Sequence, residues 1–77
     1  MRSDRELFRL AKDMVFIEER LSKTYDEFTK EELLQEADKI RNILLEKHYD
    51  MDTFLQFQEM YKSMSIAEYY EFIDTLG

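Results

Sequence analysis

The chain has no cysteine, no proline and no tryptophan, a single histidine, and a single glycine at its last position. Each absence removes a class of function. Without cysteine there is no disulfide framework, which fits a reducing compartment. Without cysteine, and with His48 alone, a structural zinc site lacks its usual ligands. Phosphate-cradling loops need glycines for close backbone approach, so nucleotide enzymes of that kind are excluded. With proline and internal glycine both missing, neither of the strongest helix breakers interrupts the chain. No uninterrupted apolar run approaches the roughly 7–15 residues of a signal core or the about 20 of a membrane span. The expectation is a soluble cytoplasmic protein that does not engage membranes.

Basic residues are also scarce towards the end, where Lys62 is the only Lys or Arg after Lys47. Residues 1–24 carry six basic and five acidic side chains, residues 25–50 four and eight, and residues 51–77 one and five. The formal net charge is therefore −7 and is concentrated beyond the first third. Such a surface repels nucleic acid and anionic lipid and favours basic partners.

What is present points to helices. Seventy-seven residues make one domain, spanning 1–77. A hydrophobic content of 44% with eleven aromatics is too apolar for disorder, despite 38% charged residues. Three capping boxes, Ser3–Glu6, Thr29–Glu32 and Ser65–Glu68, each precede an apolar period. Phe28 with Leu33, and Met64 with Tyr69, have the spacing of a hydrophobic staple.

The first predicted helix covers about 4–22, with Leu7, Leu10, Met14, Ile17 and Leu21 in a seam. Phe8, Ala11 and Val15 widen that seam beyond the needs of one packing partner, and Phe16 falls on the far side. The second covers about 30–48, with Leu33, Ala37, Ile40 and Leu44 inside, Leu34, Ile43 and Leu45 flanking, and Lys47 and His48 in its last turn. Asp50 or Asp52 caps a third helix over about 53–62, with Phe54, Phe57 and Tyr61 on one side. The fourth covers about 66–76, with an inner line of Ile66, Tyr69, Ile73 and Leu76 and Tyr70 beside it. The fold class is all-α: two long helices as an antiparallel hairpin, closed by two short C-terminal helices.

No catalytic constellation emerges. His48 has no nucleophile or orienting group at a fixed spacing, and it reads as a helix-end residue. A twelve-residue calcium loop counted from Asp50 would place Leu55 and Tyr61 where glycine and glutamate are required. No Glu-x-x-His pair offers a di-iron site. The expectation is a protein that is not an enzyme, with no catalytic residues, no metal and no cofactor.

Length, acidity and four helices resemble acyl carrier proteins, whose second helix begins Asp-Ser-Leu with the serine bearing the prosthetic arm. Here that region reads Thr29-Lys30-Glu31-Glu32-Leu33, with no serine between Ser22 and Ser63. The resemblance stops there.

The last two helices also stand where a helix-turn-helix protein carries its reading helix. Their charged residues Glu68, Glu71 and Asp74 are the wrong sign for a phosphate-lined groove. The reading that fits best is a small regulator of the inhibitor, immunity, antitoxin or adaptor type, docking on a basic surface of a larger protein. Phe16, Glu68, Glu71, Phe72 and Asp74 are its expected protein-binding residues, with no direct nucleic-acid partner. A homodimer through the first helix is compatible with that reading. The alternatives are a nucleic-acid-mimicking inhibitor and, below it, a helix-turn-helix DNA-binding protein.

Overall fold

The computed structural model describes residues 4–76, so Ser3 of the first expected capping box lies outside the described residues. Four α-helices follow in order: α1 (Asp4–Lys23), α2 (Glu27–Glu46), α3 (Met51–Lys62) and α4 (Ile66–Thr75). The described residues contain no strand.

Two helix starts use the same device. At Asp26 and again at Asp50, the carboxylate leaves the helix in extended conformation and accepts the backbone N–H of the residue three on. Thr29 and Thr53 also donate their hydroxyls to the same carboxylates, each at 2.7 Å. Asp50 is thus the cap of α3, whereas α2 begins about one turn before its expected position. Thr29 stands inside α2 as the partner of a cap, and Phe28 is exposed within the helix rather than stapling it from outside. The charged acceptor explains the outcome. An ionised carboxylate binds an orphan N–H more strongly than the Thr29 hydroxyl can, and the earlier start adds helical residues. At α4 the expected box is complete, with Ser65 and Glu68 each accepting the other's backbone N–H.

The end of α2 also differs from expectation. Lys47 is the cap and His48 lies beyond it with φ at 57°, so neither belongs to the last helical turn. The N–H groups of His48 and Tyr49 return to the carbonyls of Leu45 and Leu44, the paired bonds of a Schellman motif. Leu44 and Tyr49 are both buried in one cluster, which supplies the apolar contact of that motif. A left-handed residue with a Cβ costs about 1–2 kcal/mol. We expect His48→Gly to be more stable than His48→Ala by about 1 kcal/mol in urea denaturation. Both variants lack the imidazole, so equal stabilities would mean that the backbone carries no cost there.

Helix α1 is the central element. Its Leu7, Leu10, Ala11, Met14 and Ile17 pack with Leu33, Ala37, Ile40 and Leu44 of α2, and with Tyr49 and Phe54. The adjoining face offers Phe8 to Tyr69 and Ile73 of α4, with Phe57, Met60, Tyr61, Met64, Phe72 and Leu76 around them. This is why the apolar arc of α1 is wide: it serves three neighbours. Gln58, buried on α3, donates to Glu18 of α1 at 3.1 Å.

Polar ties close the corners. Glu6 accepts from Lys47 Nζ at 2.7 Å and from the Tyr49 hydroxyl, pinning the start of α1 to the α2–α3 corner. Lys47, and then Tyr49, hold the Glu6 carboxyl below its ordinary value, while Glu6 raises Lys47. Hydrogen bonds likewise lower Asp26, Asp50 and Glu68. A carboxylate lowered by folding contributes stability that is present above its unfolded pKa and lost as pH falls through its folded pKa. Lys47, raised by folding, contributes below its unfolded pKa and loses that contribution as pH rises through its folded pKa. The urea midpoint should therefore hold between about pH 5 and 9 and fall below about pH 4. A midpoint unchanged at acid pH would contradict these ties.

The molecule is a slab of 38 × 30 × 17 Å. Its thin dimension is less than two helix diameters, each about 10 Å with side chains. Every helix therefore keeps a solvent-facing side, and side chains on the flanks of the buried lines stay uncovered. Leu34 and Leu45, expected to flank the inner line of α2, are among these.

Candidate docking surface

Helical residues turn by about 100° each, so Phe16 stands almost opposite the buried seam of α1. It is 50% exposed. In α4 the buried line runs through Tyr69 and Ile73, which leaves Ile66 and Tyr70 on one flank. Ile66 is 77% exposed and Tyr70 62% exposed, so the expected core position of Ile66 is corrected. The reason lies in the shortness of α4. Ile66 occupies its first position, where the helix has no preceding turn to help cover it.

Phe16, Ile66 and Tyr70 border one cleft of about 230 Å³, walled also by Lys12, Tyr61, Met64 and Tyr69. An adjoining depression of about 200 Å³ shares Phe16, Tyr61 and Met64 and adds Glu19 and Lys62. On its other side, Phe16 reaches a groove of about 800 Å³ between α1 and α2, floored by Leu10, Ile17, Leu33 and Ile40. Phe16 is thus the ridge between two depressions.

The charges around the cleft are mostly matched. Lys12 pairs with Asp13 at 3.8 Å and Lys62 with Glu59 at 3.5 Å. The Glu19 carboxylate lines the depression without an ion pair or hydrogen bond to another described residue. Burial holds the Tyr61 hydroxyl above its ordinary 10.0, with Lys12 opposing and Tyr69, Glu19 and Asp13 reinforcing. Tyr61 accordingly stays a neutral ring in the cleft wall.

The five residues expected to bind a protein do not share one surface. Phe16 lies at the cleft. Phe72 is half-buried, its ring centroid 4.9 Å from that of Phe8, and so does not stand outside the fold. Glu68 is engaged in the cap of α4, its carboxylate accepting the Ser65 N–H at 3.0 Å. Asp74 is tied to Arg5. Glu71 is exposed, on the outer face of α4 opposite the Tyr69–Ile73 line. Ile66, Tyr70, Tyr61, Met64, Lys12 and Glu19 join Phe16 around the cleft and its adjoining depression, beyond the residues expected from the sequence. One signal was available: Ile66 and Tyr70, spaced i,i+4, form a second apolar stripe beside the Tyr69–Ile73 line.

Among the described residues no group of three His, Asp or Glu side chains is placed to hold a metal ion. No described helix is long and apolar enough to cross a membrane. No family model matches the chain, and no curated protein or solved structure matches it either.

Proposed function

We propose that this chain is a protein-docking module of the regulator type, which seats its Phe16–Ile66–Tyr70 surface on a basic surface of a larger protein. The observation that carries the reading is the exposure of these three large side chains, from two helices distant in sequence, around one cleft. Apolar surface left in water forgoes about 25 cal/mol per Å² of burial. Clustered exposure of this kind marks interaction sites, whereas scattered exposure does not.

The acidic balance supplies the other half. With −7 overall and Glu19 unmatched beside the apolar centre, approach to a cationic surface is steered and wrong partners are repelled. Aromatic and aliphatic anchors then provide the affinity at short range. Phosphate mimicry finds less support, because it needs a row of free carboxylates. Glu68 and Asp74 are committed to a cap and an ion pair.

The test is affinity capture from the source cell, comparing wild type with Phe16→Ala and Ile66→Asp. A captured basic protein should bind roughly 5- to 100-fold more weakly to either variant, the range expected for removal of an anchor. Its association rate should fall as salt is raised. Both variants should stay folded, since both positions face solvent. Undiminished binding by folded Phe16→Ala and Ile66→Asp would remove the assignment.

A further inference from the structure

We propose that the ring-walled cleft is a recognition site for a lysine ammonium group, and that Lys12 holds its Tyr69 face until a partner's lysine displaces it. The proposal rests on the docking reading and names the group the partner presents. Four aromatic side chains, Phe16, Tyr61, Tyr69 and Tyr70, line the cleft. Their planes are steeply inclined to one another. Phe16 and Tyr61 meet at 46° with centroids 6.3 Å apart, Tyr61 and Tyr69 at 88° and 5.6 Å, and Tyr69 and Tyr70 at 65° and 5.3 Å. Rings so inclined do not stack on one another, and the face of an aromatic ring carries the negative side of its quadrupole.

A cation already uses this field. Lys12 Nζ lies 5.1 Å from the centroid of the Tyr69 ring, inside the roughly 6 Å reach of a cation–π contact. Its hold there is loose. Lys12 pairs with Asp13, the next residue, at a long 3.8 Å, and its stem is flexible enough to swing clear. When it leaves, the cleft offers an incoming ammonium the same rings, with the unmatched Glu19 in the adjoining depression. Steeply inclined walls suit a compact ammonium better than a planar guanidinium, which stacks on a single face. The occupant is therefore a lysine of the partner protein, and the internal lysine lowers its apparent affinity by competing for the Tyr69 face.

The experiment titrates the intact chain with capped peptides that differ at one position: lysine, trimethyl-lysine, arginine or norleucine. Ring resonances of Tyr69 and Tyr70 are followed by NMR. Lysine and trimethyl-lysine peptides should saturate, with norleucine at least about three-fold weaker and arginine between them. Lys12→Met, which keeps the apolar stem, should tighten the lysine peptide roughly three- to five-fold, and Lys12→Gln should do the same. Tyr70→Leu should abolish the preference for lysine over norleucine. Norleucine binding as tightly as lysine would overturn the proposal, as would an affinity unchanged or lowered by both Lys12 variants. If Phe16-dependent partner capture persists while the peptides show no lysine preference, the ammonium site falls and the docking surface stands. If the peptides behave as expected but no basic protein is captured, the ammonium site stands and the docking role falls.

Discussion

Replacing Phe8 with alanine is expected to lower the unfolding free energy by about 3–5 kcal/mol, the usual cost of deleting a buried aromatic side chain. Phe8 is 0% exposed, and its ring meets four others. Phe57 lies at 5.2 Å edge-on, Tyr61 at 6.5 Å, Tyr69 stacked at 5.8 Å and Phe72 at 4.9 Å. Those partners come from α3 and α4, while Phe8 belongs to α1, so a single side chain joins three helices. A domain of this size retains a net stability of about 5 kcal/mol or little more, because it buries a smaller fraction of its surface than a larger domain does. Loss of the hub should therefore leave a protein that melts without a sharp transition, read by far-UV circular dichroism during heating and in urea. The wall formed by Tyr61 and Tyr69 should loosen with it. A loss below about 1 kcal/mol would show that α4 repacks on α1 without this ring.

Leu44→Ala should cost about 2–5 kcal/mol, whereas Leu45→Ala should change stability by less than about 0.5 kcal/mol. The two leucines are adjacent, yet Leu44 is 2% exposed and Leu45 is 70% exposed. Leu44 also carries two roles at once. Its side chain joins the core with Ala37, Ile40 and Tyr49, and its carbonyl accepts the Tyr49 N–H that turns the chain out of α2. Shortening the side chain opens a cavity beneath the turn and weakens the contact that orients Tyr49 towards Glu6. Urea midpoints of the two variants measured side by side provide the check. Similar losses for both would mean that the register of α2 is wrong.

Much of the fold was legible because the forces that shape it act over three or four residues. The cap at Asp50 and the Ser65–Glu68 box depend on side chains reaching backbone groups three positions away. The inner line of α2, Leu33, Ala37, Ile40 and Leu44, follows directly from helical spacing, and each of these residues is buried. Where two local signals compete, the reading fails. Asp26–Thr29 and Thr29–Glu32 both have cap spacing, and the carboxylate of Asp26 prevails over the hydroxyl of Thr29. His48 could not be placed either, because glycine is the usual residue at its left-handed position.

The candidate surface was much less legible. The sequence shows that Phe16 lies off the seam of α1, and that helix α4 is acidic on one side. It does not show which flank of α4 meets α1. A helix of ten residues has fewer than three turns, so Ile66, Tyr69, Tyr70 and Ile73 support more than one orientation equally well. Packing of Tyr69 and Ile73 on Phe8 selects one of these orientations. That choice exposes Ile66 and Tyr70 beside Phe16, and brings Tyr69 beneath the Lys12 ammonium. By itself the sequence determined an all-helical acidic chain, the Ser65–Glu68 box, a cap at Asp50 or Asp52 and a wide apolar arc on α1. Only the tertiary structure decided which apolar side chains remain outside, because coverage depends on contacts between residues far apart in the chain, which helical period does not encode.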